Sequence, residues 1–201
     1  MLAPLWSELT SWLAANAPRL HEQVRPPGDP ARLASAEERL GLALNRELVE
    51  WWQLHDGVAA GYLLPNYELF GVEDMLRSRE IERDVDLEEE VNAMAFRNLY
   101  PVAAEGDVPG RYFPSEYVPI GGDGAGNCLV MDCRPGPEYG FLRDHDHEHR
   151  GVISAPYYTS LADLLTRLVT ALRTGQPMAV GNSDRTYPAT AVVEDGWLSW
   201  R

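Results

Sequence analysis

Apolar residues recur along the chain at two periods, and the change from one to the other divides the sequence. Leu2, Leu5, Trp6, Leu9, Trp12 and Leu13 follow helical spacing and predict an amphipathic helix over about 4–21, stopped by Arg25-Pro26-Pro27-Gly28. Ser35-x-x-Glu38 matches a capping box and predicts a short helix ending at Leu40-Gly41. Asn45 reads as the cap of a helix over 46–55, closed by Asp56-Gly57. Leu48, Trp51, Trp52 and His55 share one wide apolar face of that helix. Residues 62–70 read as strand or loop, 72–91 as a helix broken by a solvated acidic segment, and 101–114 as a loop. Three short apolar runs then follow, at 117–120, 128–131 and 139–142, separated by Gly121 to Gly126 and by Arg134-Pro-Gly-Pro137. Such runs predict an antiparallel meander. Ser160 or Thr159 caps a last strong helix carrying Leu161, Leu164, Leu165, Leu168, Val169 and Leu172, with Gly175 as its stop. The tail, 176–201, is punctuated by Gly, Pro and Ser and suits a hairpin around Glu194-Asp195-Gly196. The expected fold class is α+β, an antiparallel or mixed sheet flanked by helices.

Charge narrows the chemistry. The 201 residues suit one domain, and the net charge is −14 with all 17 cations supplied by Arg. A chain without Lys has no Schiff-base or phosphate-loop Lys, and its acidity argues against a nucleic-acid partner. Ala15-Asn16-Ala17 resembles a signal-peptidase box, but the first cation is Arg19 and Glu8 interrupts the apolar stretch, so the segment reads as a helix of the folded protein. No stretch approaches the ~20 apolar residues that span a bilayer, which predicts a soluble protein. Cys128 and Cys133 on one strand would stand ~16 Å apart. They are therefore expected on opposite faces, one inward and one outward, both reduced, as suits the cytoplasm.

Three features invite a chemical reading. The loop Gly121-Gly122-Asp123-Gly124-Ala125-Gly126 lacks the third Gly of a dinucleotide fingerprint and, with Asn127 where Lys should stand, fails the phosphate loop. Gly121, Gly122, Gly124 and Gly126 are expected to serve turn geometry. The run Asp144-His145-Asp146-His147-Glu148-His149, if extended, places three imidazoles on one face. Imidazoles on one strand seldom converge on a single ion, so a polar turn or strand end is expected and no metal. His55, at a helix C-terminus, reads as a cap where a protonated imidazole is favoured. No G-x-S-x-G, H-E-x-x-H or CxxC occurs.

Taken in order, Glu37 or Glu38, Leu40-Gly41, Leu44, Asp56-Gly57, Val118-Pro-Ile-Gly121, Asp123-Gly-Ala-Gly126-Asn127 and Asp132 resemble the Smi1/Knr4 family across about 30–173, with Asn45 in place of the usual Pro. The resemblance implies an α+β domain over 30–175 with an acidic insertion at about 74–116, preceded by a helix and linker over 1–29 and followed by an extension over 176–201. It implies no catalytic residues and no cofactor. Bacterial members are often immunity proteins that neutralise a cognate toxin, frequently a nuclease; fungal ones act as cell-wall or signalling scaffolds. The expected partner is then a protein, such as a cationic toxin domain, met by Asp84, Asp86, Glu88, Glu89 and Glu90 and by Asp144, His145, Asp146 and His147. The competing readings are a metal-dependent enzyme built on 144–149 and a small-molecule sensor with a pocket near the sheet.

Overall fold

The computed structural model describes residues 1–96, 113–147, 155–180 and 187–201, without the side chains of 85–96 and of Ala179. The N-terminal apolar repeat forms two helices, α1 (Ala3–Asn16) and α2 (Pro18–His21), where one was expected. Pro18 is the cause: it has no N–H to continue the ladder and it drives Ala17 out of the helical region, to φ −129°, ψ 60°. α3 (Pro30–Leu40) likewise starts earlier than the capping-box spacing predicts. The Asp29 carboxylate accepts the Ala31 N–H at 2.9 Å and Pro30 presets the first turn, so Ser35 falls inside the helix. Gly41, at φ +62°, ends it. α4 (Arg46–Leu54) is capped by Asn45, whose side chain accepts the Glu47 N–H at 2.7 Å.

Strand β1 (Glu68–Leu69) is followed by α5 (Val72–Phe96), which runs through the acidic segment without a break. Glu is a good helix former, and the N-terminus is well served: Asp56 Oδ1 accepts from Val72 N and Asp74 Oδ2 from Gly71 N. The expected loop at 101–114 lies almost wholly outside the described residues. β2 (Tyr117–Gly122), β3 (Cys128–Asp132) and β4 (Leu142–His145) complete an antiparallel sheet of order β1-β2-β3-β4. The last strand sits three residues later than the apolar run 139–142 suggests. Gly140, at φ +88°, still belongs to the turn, where its N–H donates to the Asp132 carbonyl at 2.7 Å.

Both sheet faces are covered. Val118, Ile120, Leu129, Met131 and Leu142 enter the main core with Trp51, Trp52 and the apolar face of α6 (Leu161–Thr174). Tyr117, Cys128 and Val130 form a smaller cluster with Phe113 on the other face, and Ser78 of α5 lies 3.4 Å from Cys128 Sγ. This corrects the expectation for the cysteines. They occupy different clusters, yet both are buried and free, and burial pushes both thiols up to about 11.

The tail folds as two ribbons, β5 (Met178–Val180) with β6 (Tyr187–Ala189), and β7 (Ala191–Glu194) with β8 (Trp197–Trp200). Asp195 and Gly196, at φ +51° and +79°, make the two-residue turn of the second hairpin. The Gly196 carbonyl accepts the Arg19 N–H at 3.0 Å, and Leu198 reaches the main core, so the hairpin is seated on α2.

Candidate functional site

At one end of the sheet the β2–β3 turn forms a small polar cage. Asp123 Oδ1 accepts the N–H groups of Ala125 at 2.7 Å and Asn127 at 3.0 Å, and its Oδ2 accepts from Asn127 Nδ2 at 2.7 Å. Gly124 and Gly126 hold φ +76° and +111° within the turn. Gly121 and Gly122, expected there as well, lie in β2 and are needed for a different reason. A Cβ on Gly122 would stand 2.6 Å from the Phe70 ring, and one on Gly121 would stand 2.8 Å from the Glu68 carbonyl oxygen.

Beside this turn a pocket of about 460 Å³ opens between three pieces of chain. Its lining is Tyr62, Asn66, Asp123, Ser199 and Trp200. Asn66 takes φ +69° at the turn after Pro65, a backbone that Asn tolerates better than most residues. The Ser199 hydroxyl donates to the Val192 carbonyl at 3.3 Å across the hairpin. The lining holds one carboxylate, two aromatic rings and an amide, and no thiol or imidazole. The Ser199 hydroxyl, bonded to the Val192 carbonyl, completes the lining.

The other expected site residues are dispersed. Tyr67 donates its hydroxyl proton to Asp144 Oδ1 at 2.6 Å. His145 is buried edge-to-face against Phe113, centroids 4.6 Å apart. Asp146 and His147 are half-buried, and the His147 N–H donates to Asn127 Oδ1 at 3.1 Å. β4 ends at His145, so the strand alternation that would align His145 with His147 does not extend to His147, and His149 lies outside the described residues. Among the described residues no three His, Cys, Asp or Glu side chains group to hold a metal ion. Asp84 is exposed on α5, 3.3 Å from Arg83. Asp86, Glu88, Glu89 and Glu90 continue that helix, with side chains outside the described residues.

Two buried polar groups complete the picture. Arg143 lies under the sheet, 3.1 Å from Asp132 and 2.7 Å from Glu138, and Arg134 also meets Asp132 at 2.8 Å. His55 departs most from expectation. The ring turns into the core, stacked on Trp6 at 4.1 Å and edge-on to Trp51 at 4.3 Å. Its Nδ1 accepts the Gly57 N–H at 3.0 Å, and burial pushes its pKa down to about 3. It is a neutral core imidazole, because full burial outweighs the helix-end dipole that favours the charged form.

The family model of the SMI1 / KNR4 family (SUKH-1) matches residues 27–167. The chain belongs to this family. No curated protein matches the sequence. The SUKH-1 match takes in the sheet with its β2–β3 turn, α3 to α5, the loop that carries Tyr62 and Asn66, and the first half of α6; α1, α2 and the C-terminal ribbons lie outside it. The pocket therefore joins the two parts, with Tyr62, Asn66 and Asp123 from the SUKH-1 body and Ser199 and Trp200 from the extension. None of its five residues is a candidate binding residue in the sequence, where Asp123 stands only as part of the glycine loop and the family motif. Pro65-Asn66 was a visible turn signal, but only the docking of the hairpin brings Trp200 to Tyr62. Among the described residues no helix is long and apolar enough to cross a membrane.

Proposed function

We propose that this SUKH-1 domain is a non-enzymatic protein-binding module that neutralises a cationic toxin domain, as an immunity protein in the cytoplasm. Family membership carries the reading, since the family includes toxin-neutralising and regulatory binding domains. Two further features support it. The net charge of −14 suits a basic partner, with acids at 84, 86, 88, 89 and 90 concentrated on one helix. The pocket beside the sheet offers a carboxylate, two aromatic rings, an amide and a hydroxyl, all groups suited to binding.

The test is rescue of growth. Basic toxin domains encoded by neighbouring genes, or captured by the purified chain from lysate of its source, are each expressed in a sensitive host, alone and with the chain. Restored growth with one of them, together with co-elution of that purified pair, is the expected outcome. Toxins that all remain lethal beside well-expressed, folded chain would sink the immunity reading and favour a regulatory scaffold.

A further inference from the structure

The pocket at the β2–β3 turn carries a ligand preference of its own. Asp123 is half-buried and held from three directions, by two backbone N–H groups and the Asn127 amide. A carboxylate has about four acceptor positions, so at least one is left for an incoming donor. Among the described residues no Arg or His nitrogen stands within ion-pairing distance of Asp123. Among the described residues its charge is thus fixed in place without an ion-pair partner. Around it are Tyr62, 41% exposed, and Trp200, whose indole N–H is buried and so is not what that residue presents to solvent.

Aromatic rings beside a pinned carboxylate select against most ligands. An anion would meet the Asp123 charge, and a purely apolar group would strip water from it without replacing a hydrogen bond. A guanidinium satisfies both parts, since it is planar, stacks on aromatic rings and donates to a carboxylate. The volume of about 460 Å³ falls within the roughly 300–1,000 Å³ of pockets that enclose whole ligands. That is room for an arginine side chain with part of the loop presenting it.

We infer that this pocket seats an arginine side chain of the protein partner. The inference rests on the binding reading above and gives it an anchor point. Because Trp200 and Ser199 lie outside the family match, two of the five residues of the seat belong to the extension of this chain. The tail thereby has a role in choosing the partner.

The experiment needs no toxin. Capped arginine, capped lysine and capped glutamate are titrated into the full chain, and amide and indole NMR shifts are followed. Saturable binding of capped arginine in the millimolar range is expected, with shifts at Trp200, Ala125 and Asn127, weaker binding of lysine and none of glutamate. Asp123→Asn should weaken arginine about tenfold. The Asn oxygen still accepts the Ala125 and Asn127 N–H groups, while the bond from the Asn127 amide is lost. The amide spectrum of the free variant checks that the turn is kept. Tyr62→Ala, at an exposed position, should weaken it about threefold with the melting temperature unchanged. No saturable shift with arginine, or shifts untouched by both variants, would overturn the inference. So would a concentration-dependent dimer of the chain alone that Asp123→Asn dissolves, since the occupant would then be a second copy. If growth is rescued yet capped arginine does not bind, the pocket fails and the immunity reading survives. If arginine binds and rescue fails, the reverse holds.

Discussion

A single buried imidazole makes acid stability a sharp test of the core. His55 is fully buried between Trp6 and Trp51, and its folded pKa is pushed down to about 3 from an ordinary 6.5. Below pH 6.5 the unfolded chain takes up a proton that the folded chain refuses, so stability is lost as the pH falls toward 3. The loss is about 1.4 kcal/mol per pH unit once well below 6.5, or roughly 2 kcal/mol at pH 5. His55→Phe keeps an aromatic ring against Trp6 and removes the titration. The difference in unfolding free energy between wild type and variant should therefore shrink by that amount between pH 7 and 5. A difference independent of pH would mean that His55 is hydrated and titrates normally. Glycines separate in the same way by cause. Gly122→Ala drives a methyl into the Phe70 ring and should cost ~1–3 kcal/mol, whereas Gly124→Ala, with open space around it, should cost ~1 kcal/mol for its positive φ alone. Chemical denaturation of the two variants measures both.

Among the elements, α4 does more than bury Trp51 and Trp52. Glu50 accepts the backbone N–H groups of Leu2 and Ala3, at 2.5 and 3.2 Å, and those bonds hold its carboxyl below the usual range. Glu47, one turn earlier, accepts the Leu161 N–H at 2.9 Å. One helix thus supplies anions to the N-termini of α1 and α6, satisfying donors that those helices cannot satisfy internally. Glu47→Ala and Glu50→Ala should each lower stability by about 1 kcal/mol, read as a shift of the denaturation midpoint. None of this is legible in the sequence, because the partners are far apart along the chain. The local signals were legible: Asn45 as a cap, Gly41 and Gly175 as stops, Asp195-Gly196 as a hairpin turn, and the apolar alternation that gives the α+β class. Where reading failed, a second local signal competed. Pro18 cut a helix whose apolar spacing ran straight through it, Asp29-Pro30 preceded the capping box at Ser35, and Gly140 extended a turn into an apolar run. The pocket was hidden for the same reason as the two glutamates, since Trp200 lines the same pocket as Asp123 only through the docking of a hairpin on α2.

Over the whole molecule the charge of −14 acts on folding and, under the proposed binding to a basic partner, on association in opposite senses, and salt tests the difference. Within the free chain, acids that outnumber Arg by this margin repel one another, and many of the ion pairs present, such as Arg39 with Glu80 and Arg201 with Glu194, are exposed and contribute little. Raising the ionic strength from low to physiological screens the net repulsion and should raise the melting temperature slightly. With the basic partner proposed above, the same charge would steer encounter, at rates of ~10⁸ M⁻¹s⁻¹ or faster at low salt against ~10⁵–10⁶ without steering. Salt should therefore slow association steeply while it stabilises the fold. Glu88→Arg/Glu90→Arg should lower the on-rate and flatten its salt dependence, with the off-rate little changed, because steering acts before contact. Asp123→Asn should do the converse, raising the off-rate at nearly constant on-rate, since a seated arginine is lost only after docking. Stopped-flow traces of the two variants at two salt concentrations separate the steering proposed for the acids from the retention proposed for the pocket. An on-rate indifferent both to salt and to the double reversal would assign α5 a solubilising role and leave recognition to the sheet end alone.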